Sequence, residues 1–154
     1  MGYRSFEDLE VYKAAREFRK KIYKLNKGLP PEEKYNLGDQ MRRASLSLTN
    51  NIAEGHGRYH FQENIQFCRI SRGSLMELID DLNTCIDEKY FPHDSLEELK
   101  TEGHTVNKML NGYTAYLKKI RLRGSINIVS LINELTQSTI SEVIKNNGFS
   151  ESSR

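Results

Sequence analysis

FQENIQFCRISRGSLMELIDDLNTCI, residues 61–86, is the stretch of sequence that decides the fold. Its apolar residues recur at alternating spacings of four and three, the period of a helix that packs one face into a bundle core. The positions in this series are Phe61, Ile65, Cys68, Arg72, Leu75, Ile79, Leu82 and Ile86. Arg72 is the polar break in the series. The pattern predicts a long amphipathic helix over the whole stretch.

Two helices with the same spacing are predicted before this stretch. The first carries Val11, Ala15, Phe18, Ile22, Leu25 and Leu29. Ser5 and Asp8 resemble a capping box at its start, and Gly28 followed by Pro30-Pro31 supplies its end. The second carries Leu37, Met41, Ala44, Leu48 and Ile52. The Gly-His-Gly sequence at 55–57 should end or kink it.

A fourth helix is predicted after Pro92, with Asp94 or Ser95 as its N-cap and Gly124 as its stop. Its core positions are Leu96, Leu99, Gly103, Val106, Leu110, Tyr113, Leu117 and Ile120. Four helices of similar length joined by short connections favour the simplest bundle topology. We therefore predict an all-α fold, an antiparallel up-down-up-down four-helix bundle over residues 1–124.

Residues 125–154 differ from the bundle in composition, because this segment is rich in β-branched residues and almost uncharged. Its apolar residues are Ile126, Ile128, Val129, Leu131, Ile132, Leu135, Ile140, Val143 and Ile144. We expect an additional C-terminal extension that forms a short, weaker fifth helix and then a frayed, Ser-rich end.

The length of 154 residues is that of one ordinary domain with a single core. The net charge is only +2, but residues 1–60 count about +4 and residues 61–154 about −2. Cys68 and Cys85 would lie about 25 Å apart on one helix, so they should be free thiols. The sequence has no signal-peptide pattern and no apolar run near the ~20 residues that span a bilayer. These features favour a cytoplasmic setting.

The main electrostatic feature is a basic face on the first helix. Its members are Lys13, Arg16, Lys20, Lys24 and Lys27. At a helical period these residues lie opposite the apolar positions, so they should point outward, where they could contact phosphates. Arg42 and Arg43 would extend the patch if the fold brings them near. The alternative is that the lysines form an ordinary solvated face.

Arg72 needs a partner or access to water, because it interrupts an apolar series. Asn51, Glu54 and Arg58 on the second helix are spaced three to four residues apart and form a polar stripe. We expect a Glu54–Arg72 pair that fixes the register of the two helices, with Glu77 in the same structural or assembly group. The alternative is that Arg72 contacts a ligand or another subunit.

Residues for catalysis or metal binding are not convincingly arranged. His56 and His60 have the spacing of a zinc pair, with Glu54 and Glu63 as candidate oxygen ligands, but the flanking glycines oppose a regular helix there. Cys68 lies in the apolar series, which favours packing over nucleophilic chemistry. The third helix also has a cluster of carboxylates, Glu77, Asp80, Asp81, Asp87 and Glu88, which favours a solvated face. We therefore predict no enzyme activity, no metal and no cofactor.

Four segments carry a resemblance to a known family. They are FEDLEVY at 6–12, MRRASLSL at 41–48, NIAEGHGR at 51–58 and RISRGSLMEL at 69–78. Together they resemble the signature regions of the 23S rRNA intervening-sequence proteins, a family of small four-helix bundles. The resemblance extends over about residues 5 to 122. Thr49 departs from it, because the family often has proline there, and the segment after Gly124 has no counterpart in the short members.

The resemblance implies assembly and a role in binding. Members of the family form homopentamers, and some are encoded within insertions in bacterial 23S rRNA genes. The family is also similar in fold to the accessory variability proteins of diversity-generating retroelements, which are pentamers that associate with a reverse transcriptase and nucleic acid. We therefore expect a homo-oligomer, and specifically a pentamer.

Two functional hypotheses follow. The first is a non-enzymatic oligomeric scaffold or adaptor that binds RNA or DNA through the basic face of the first helix. The second is a protein-interaction module, or an accessory subunit of a nucleic-acid enzyme such as a reverse transcriptase, that does not itself bind nucleic acid. In the second case the charges of the first helix only keep the assembly soluble.

Overall fold

The computed structural model describes residues 5–147, and every regular element in this range is helical. The four α-helices are α1, Glu10–Asn26; α2, Leu37–Gly57; α3, Phe61–Asp87; and α4, His93–Asn147. A short 3₁₀ turn precedes each of the first two helices, at Phe6–Asp8 and Pro31–Glu33. The predicted all-α, four-helix fold is confirmed.

The chain forms two compact units, with the boundary after Lys118. The first unit contains the core, to which each helix contributes one apolar stripe. The largest fully buried apolar side chains are Phe18, Ile22, Met41, Leu48, Ile52, Ile65, Leu75, Leu78, Leu82, Leu96 and Leu110. Full burial of each such side chain contributes about 1.5–3 kcal/mol before the entropy cost of folding. Because Phe18 and Ile22 of α1 and Met41, Leu48 and Ile52 of α2 are among these side chains, the predicted stripes of both helices face the core.

Helices α2 and α3 pack against each other through small side chains. Ser71 is fully buried, and its hydroxyl donates a hydrogen bond of 2.5 Å to the carbonyl of Leu48. The hydroxyl of Ser74 donates to that of Ser47 at 2.7 Å. These bonds cross from one helix to the other, so they fix the register of the pair.

Gly55, the glycine of the NIAEG sequence, allows a second close approach between the same two helices. A Cβ atom at this position would lie 2.8 Å from the Cβ of Phe67 and 2.9 Å from Oδ1 of Asn64. Any larger residue would push the two backbones apart. Gly57 has open space around it instead, and α2 ends there.

The predicted Glu54–Arg72 pair is wrong. Glu54 accepts a hydrogen bond of 2.8 Å from Arg58, one turn further along α2. Arg72 is exposed, and its guanidinium donates to Oδ1 of Asn111 on α4 at 3.3 Å. The physical reason is that the buried stripe of α3 continues through Ser71, a small polar residue, and not through Arg72.

Helix α4 begins at His93, directly after Pro92, so Asp94 and Ser95 lie in its first turn and neither is the predicted N-cap. The helix also extends much further than predicted. It continues through Gly124, so the predicted stop there and the separate fifth helix are wrong. None of the described glycines has the positive φ that ends a helix, and a glycine inside an exposed helix costs only about 1 kcal/mol. The predicted frayed, Ser-rich end falls on residues 148–154, outside the described residues.

The second unit, described by itself, consists of the C-terminal part of α4. Most of its large apolar side chains that the structure describes are exposed, and they include Leu122, Ile126, Ile128, Val129, Leu131, Ile132 and Ile140. None of the described helices has a stretch long and apolar enough to cross a membrane.

Ser71→Leu should destabilise the bundle by roughly 2–4 kcal/mol, because leucine overfills the contact between α2 and α3 and the bond to the Leu48 carbonyl is lost. Arg72→Leu, one position further on, should change the free energy of unfolding by less than about 1 kcal/mol, because that side chain is exposed. Chemical denaturation of both variants and the parent protein measures the difference. A larger loss at 72 than at 71 would contradict the register described above.

Candidate nucleic-acid interface

Part of the predicted basic face is neutralised along α1. Lys13 Nζ lies 2.8 Å from Glu10 Oε1, and Lys20 Nζ lies 2.6 Å from Glu17 Oε1. Hydrogen bonding to Glu10 raises the pKa of Lys13, and hydrogen bonding to Lys20 lowers the pKa of Glu17. Exposed pairs of this kind add little stability, but they reduce the positive potential that a distant phosphate would meet.

Cations accumulate instead in a groove between α1 and α2. Two adjoining depressions form it, each with a volume of about 490 Å³, and they share Tyr23 and Lys27. The first is lined by Arg19, Lys20, Tyr23, Lys24, Lys27 and Leu46. The second is lined by Tyr23, Asn26, Lys27, Leu29, Pro31, Lys34 and Arg42. We call this surface the α1–α2 groove.

The α1–α2 groove has a one-sided charge. The first depression has four lysines or arginines, and the second adds Lys34 and Arg42. Among the residues that the structure describes, no carboxylate lines either depression. Glu17 and Asp39 pair with Lys20 and Arg42 from outside the lining. The positive potential of the groove therefore comes mainly from Arg19, Lys24, Lys27 and Lys34, and it favours a polyanion that can contact several cations at once.

Two arginines of the groove are held in place by neighbouring groups. Arg19 donates from Nη1 to Oγ1 of Thr49 at 2.7 Å, and Thr49 is buried on α2. Arg42 donates to the carbonyl of Lys34 at 3.0 Å and pairs with Asp39. A guanidinium has five N–H donors, so each arginine keeps donors for a ligand after making these bonds. The groove therefore presents cations whose positions are already fixed.

The end of α1 is tied to the beginning of α2 beside the groove. The buried amide of Asn26 donates to the carbonyl of Gly38 at 2.8 Å. A Cβ atom at Gly38 would lie 2.9 Å from Oδ1 of Asn26, so the glycine permits this contact. The bond keeps Lys24, on the last turn of α1, and Lys27, the C-cap of that helix, close to the first turns of α2.

The structure divides the predicted nucleic-acid-binding residues. Four of them line the α1–α2 groove, namely Lys20, Lys24, Lys27 and Arg42. Lys13 and Arg16 are exposed on α1 but are not among the lining residues. Arg43 lines a separate depression together with Gln40, Ala44, Ser47 and Glu77. Consecutive residues on a helix project about 100° apart, and here Arg42 and Arg43 fall on different sides of α2.

Among the cations and aromatic rings of the lining, sequence reasoning did not assign Arg19, Tyr23 and Lys34 to the binding surface. Arg19, Tyr23 and Lys27 are spaced by four, so they form one row along α1 between the buried stripe and the outward face. This spacing was the feature of the sequence that could have assigned Arg19 and Tyr23 to the same surface as Lys27. Lys34 lies in the connection before α2, where no periodicity could indicate its position.

The residues predicted to serve structure or assembly also make different kinds of contact. Asn51 donates to the carbonyl of Ser47 at 2.7 Å and to its hydroxyl at 3.0 Å, so it supports the contact between α2 and α3. Arg58 lies over the ring of Phe67, with 5.3 Å from its Cζ atom to the ring centroid, and pairs with Glu54.

Comparison with protein families gives a match over residues 7–112, to a family described as 23S rRNA-intervening sequence protein. The match covers more than half of the chain and includes the four signature segments except for Phe6, the first residue of the first segment. The chain belongs to the 23S rRNA-intervening sequence protein family. The resemblance inferred from the sequence is thereby confirmed. Gly55 and Ser71, which set the contact between α2 and α3, both lie within the matched range.

A solved structure agrees with this family assignment. It is the crystal structure of a protein with unknown function from the S23 ribosomal protein family of Bacteroides thetaiotaomicron VPI-5482. The two chains align with a TM-score of 0.63 at 22% identity, over 68% of this chain and 97% of the other. At that identity the likeness concerns the fold alone. Comparison with curated proteins found no match.

This 23S rRNA-intervening sequence protein has two buried thiols. Cys68 and Cys85 are free and almost fully enclosed on α3, as predicted. Burial raises the pKa of both, to about 11 for Cys85. His56 lies in the last turn of α2, whereas His60 precedes α3, so the two do not share a helix. Residues 5–147 contain no group of three or more His, Cys, Asp or Glu side chains that could hold a metal ion.

Asp81 departs from the expected solvated face of α3. It is 3% exposed, whereas Glu77 and Asp80 are exposed. Gln40 of α2 donates to its Oδ1 at 2.8 Å, while Oδ2 is buried without a hydrogen-bond partner. Burial, with smaller contributions from the charges of Asp80 and Glu77, raises the pKa of Asp81 to about 6. The folded family member therefore keeps the neutral acid at this position up to about pH 6.

The stability of this family member should depend on pH through Asp81. Because its pKa is raised from 3.8 to about 6, the folded state holds a proton that the unfolded state has lost between these values. The free energy of unfolding should therefore fall as pH rises from about 4 to 7, by on the order of 2–3 kcal/mol. Asp81→Asn should be more stable than the parent near pH 7 and lose that advantage near pH 4.

Asp80→Asn is the matched control, because it removes the same charge from an exposed neighbour. Thermal and chemical denaturation at several pH values compares the three proteins. Equal pH profiles for the parent and Asp81→Asn would show that Asp81 titrates normally.

Proposed function

We propose that this chain is a non-enzymatic scaffold that binds RNA or DNA, with the α1–α2 groove as the contact surface. The observation that carries the proposal is the lining of the groove, which combines six cations with one aromatic ring and lacks a carboxylate among the described residues. This proposal moves the site from the outward face of α1 to its side facing α2.

The charge of the groove supports contact with a phosphate backbone. A nucleic acid carries regularly spaced phosphates, and each cation that neutralises one of them releases counterions into solution. The fixed guanidiniums of Arg19 and Arg42 suit phosphate oxygens, which accept paired hydrogen bonds from arginine. The lysines between them add charge without demanding one geometry.

Tyr23 supports the same proposal through its position. Its partly buried side chain lines both depressions, between the cations of α1 and those that precede or begin α2. Aromatic rings in basic grooves stack on unpaired bases with about 1–3 kcal/mol per base and little sequence preference. A structured RNA with single-stranded loops could use the ring and the cations together.

Binding should weaken when cations of the α1–α2 groove are removed, but much less when cations elsewhere on α1 are removed. We expect Lys24→Gln with Lys27→Gln to weaken RNA binding by about tenfold or more at low salt. The slope of log affinity against log salt should become shallower by roughly 1.5, because two phosphate contacts are removed. Fluorescence anisotropy with a structured RNA and a DNA duplex, at several salt concentrations, measures both changes.

The matched control is Lys13→Gln with Arg16→Gln, which removes the same charge from the same helix outside the groove lining. We expect it to change affinity and slope much less, since Lys13 already pairs with Glu10. Equal losses from the two double variants would indicate a diffuse charge effect and contradict a groove. If the parent protein binds neither ligand below about 100 µM at low salt, nucleic-acid binding is wrong.

A second function is favoured by a different observation. The exposed apolar side chains of the second unit suggest a surface for protein contacts, as expected of a protein-interaction module or of an accessory subunit of a nucleic-acid enzyme such as a reverse transcriptase. In that case the cations of the groove only keep the protein soluble. The anisotropy titration separates the two functions, because only the first requires direct binding.

The scaffold proposal includes a closed homo-oligomer, and the pentamer implied by the resemblance is the expected form. Size-exclusion chromatography with light scattering should therefore give a mass of roughly five times the chain mass of 17.9 kDa. A monomer at micromolar concentration would contradict the assembly part of the proposal and leave the groove to be tested separately.

A further inference from the structure

The C-terminal part of α4 exposes an unusual amount of apolar surface. Seven of its side chains are between 53% and 66% exposed. They are Leu122, Ile126, Ile128, Val129, Leu131, Ile132 and Ile140. A lone helix with this surface would be poorly stable in water, because helices in proteins depend on packing of an apolar face. The surface therefore requires a partner.

The arrangement of these side chains around the helix is informative. At about 100° per residue, the seven fall within an arc of about 220°, which also contains Ser125, Asn133 and Thr136. The opposite side is a narrower polar stripe formed by Arg123, Asn127, Ser130, Glu134 and Ser141, all of them exposed. An apolar arc wider than about 100° exceeds what one neighbouring helix covers. The helix is therefore built to contact neighbours on two sides.

We propose that this apolar arc packs against the same arc of other copies of this chain, forming a helical cluster around the C-terminal part of α4. The area suits such an interface. Each exposed leucine, isoleucine or valine contributes on the order of 100 Å², so the seven offer on the order of 700 Å² per chain. A stable protein interface buries about 800 Å² on each partner.

The charge of the segment favours copies of itself over other partners. Glu134 is the only charged residue from 125 to 140, and it lies on the polar stripe, so identical helices can approach without mutual repulsion. A helix that lies on a lipid surface normally carries lysines and arginines along its polar face. After Arg123, this stripe instead has only asparagine, serine and glutamate among its members.

The proposal does not rest on the α1–α2 groove, and its test uses the full-length protein. Ile128→Gln, Leu131→Gln and Ile132→Gln would be combined to remove one side of the arc while keeping good helix formers. Asn127→Gln, Ser130→Gln and Glu134→Gln on the polar stripe form the matched control. Amide hydrogen exchange of residues 120–140 would be followed over a hundredfold range of protein concentration.

In the parent and the control, we expect exchange in this segment to slow by about tenfold or more as concentration rises. The arc variant should exchange rapidly at every concentration, and its mass by light scattering should fall. Protection that does not change with concentration, or equal behaviour of the two triple variants, would overturn the proposal. Flotation of the parent with phosphatidylcholine vesicles, lost only in the arc variant, would identify lipid as the occupant and overturn it as well.

Discussion

The close contact between α2 and α3 is the constraint on which the rest of the bundle depends. The hydroxyl of Ser71 reaches the carbonyl of Leu48, and Gly55 brings the two backbones together beside Phe67. Small residues at both points allow an approach that larger side chains would prevent. Together the two contacts leave each helix a single rotation about its axis and a single register, because packed helices have few discrete ways to fit.

The rotation of α2 also determines what it presents to α1. With Leu48 turned toward α3, the neighbouring Thr49 is available to hold Arg19. Leu46 and Arg42 then contribute to the lining of the α1–α2 groove. A chain with a net charge of only +2 thus gathers six cations along one groove. The position of charge, which depends on packing, is more informative here than its total.

The sequence was a good guide to the helices and a partial guide to their contacts. Apolar periodicity located α1 to α3 and the beginning of α4, since a buried stripe must repeat at the helical period. Apolar periodicity does not identify Ser71, because a small hydroxyl residue looks polar in sequence even where it is fully buried. The pattern therefore places the next position, Arg72, in the buried series instead. Gly124 was treated as a stop, although a glycine ends a helix only when its backbone adopts a left-handed conformation.

The groove was harder to predict, for a different reason. Its cations come from α1, from the connection before α2 and from α2, and the distance between such segments is a property of tertiary packing. Thr49 shows this clearly: in the sequence it is only a departure from the family pattern, yet its hydroxyl accepts a hydrogen bond from Arg19. Asp81 likewise belongs to an acidic run in sequence, and only the position of Gln40 reveals that it is buried.

The two buried thiols of α3 can report local opening of the bundle. Cys68 and Cys85 lie about 25 Å apart along this helix, and both are enclosed in the native state. A thiol reagent can reach either sulfur only when the surrounding helices separate, so its reaction rate measures how often that end of the bundle opens. Cys68 samples the end near Asn64 and Tyr113, and Cys85 samples the end near Tyr90. The native chain thus carries its own pair of local probes, and no label has to be introduced.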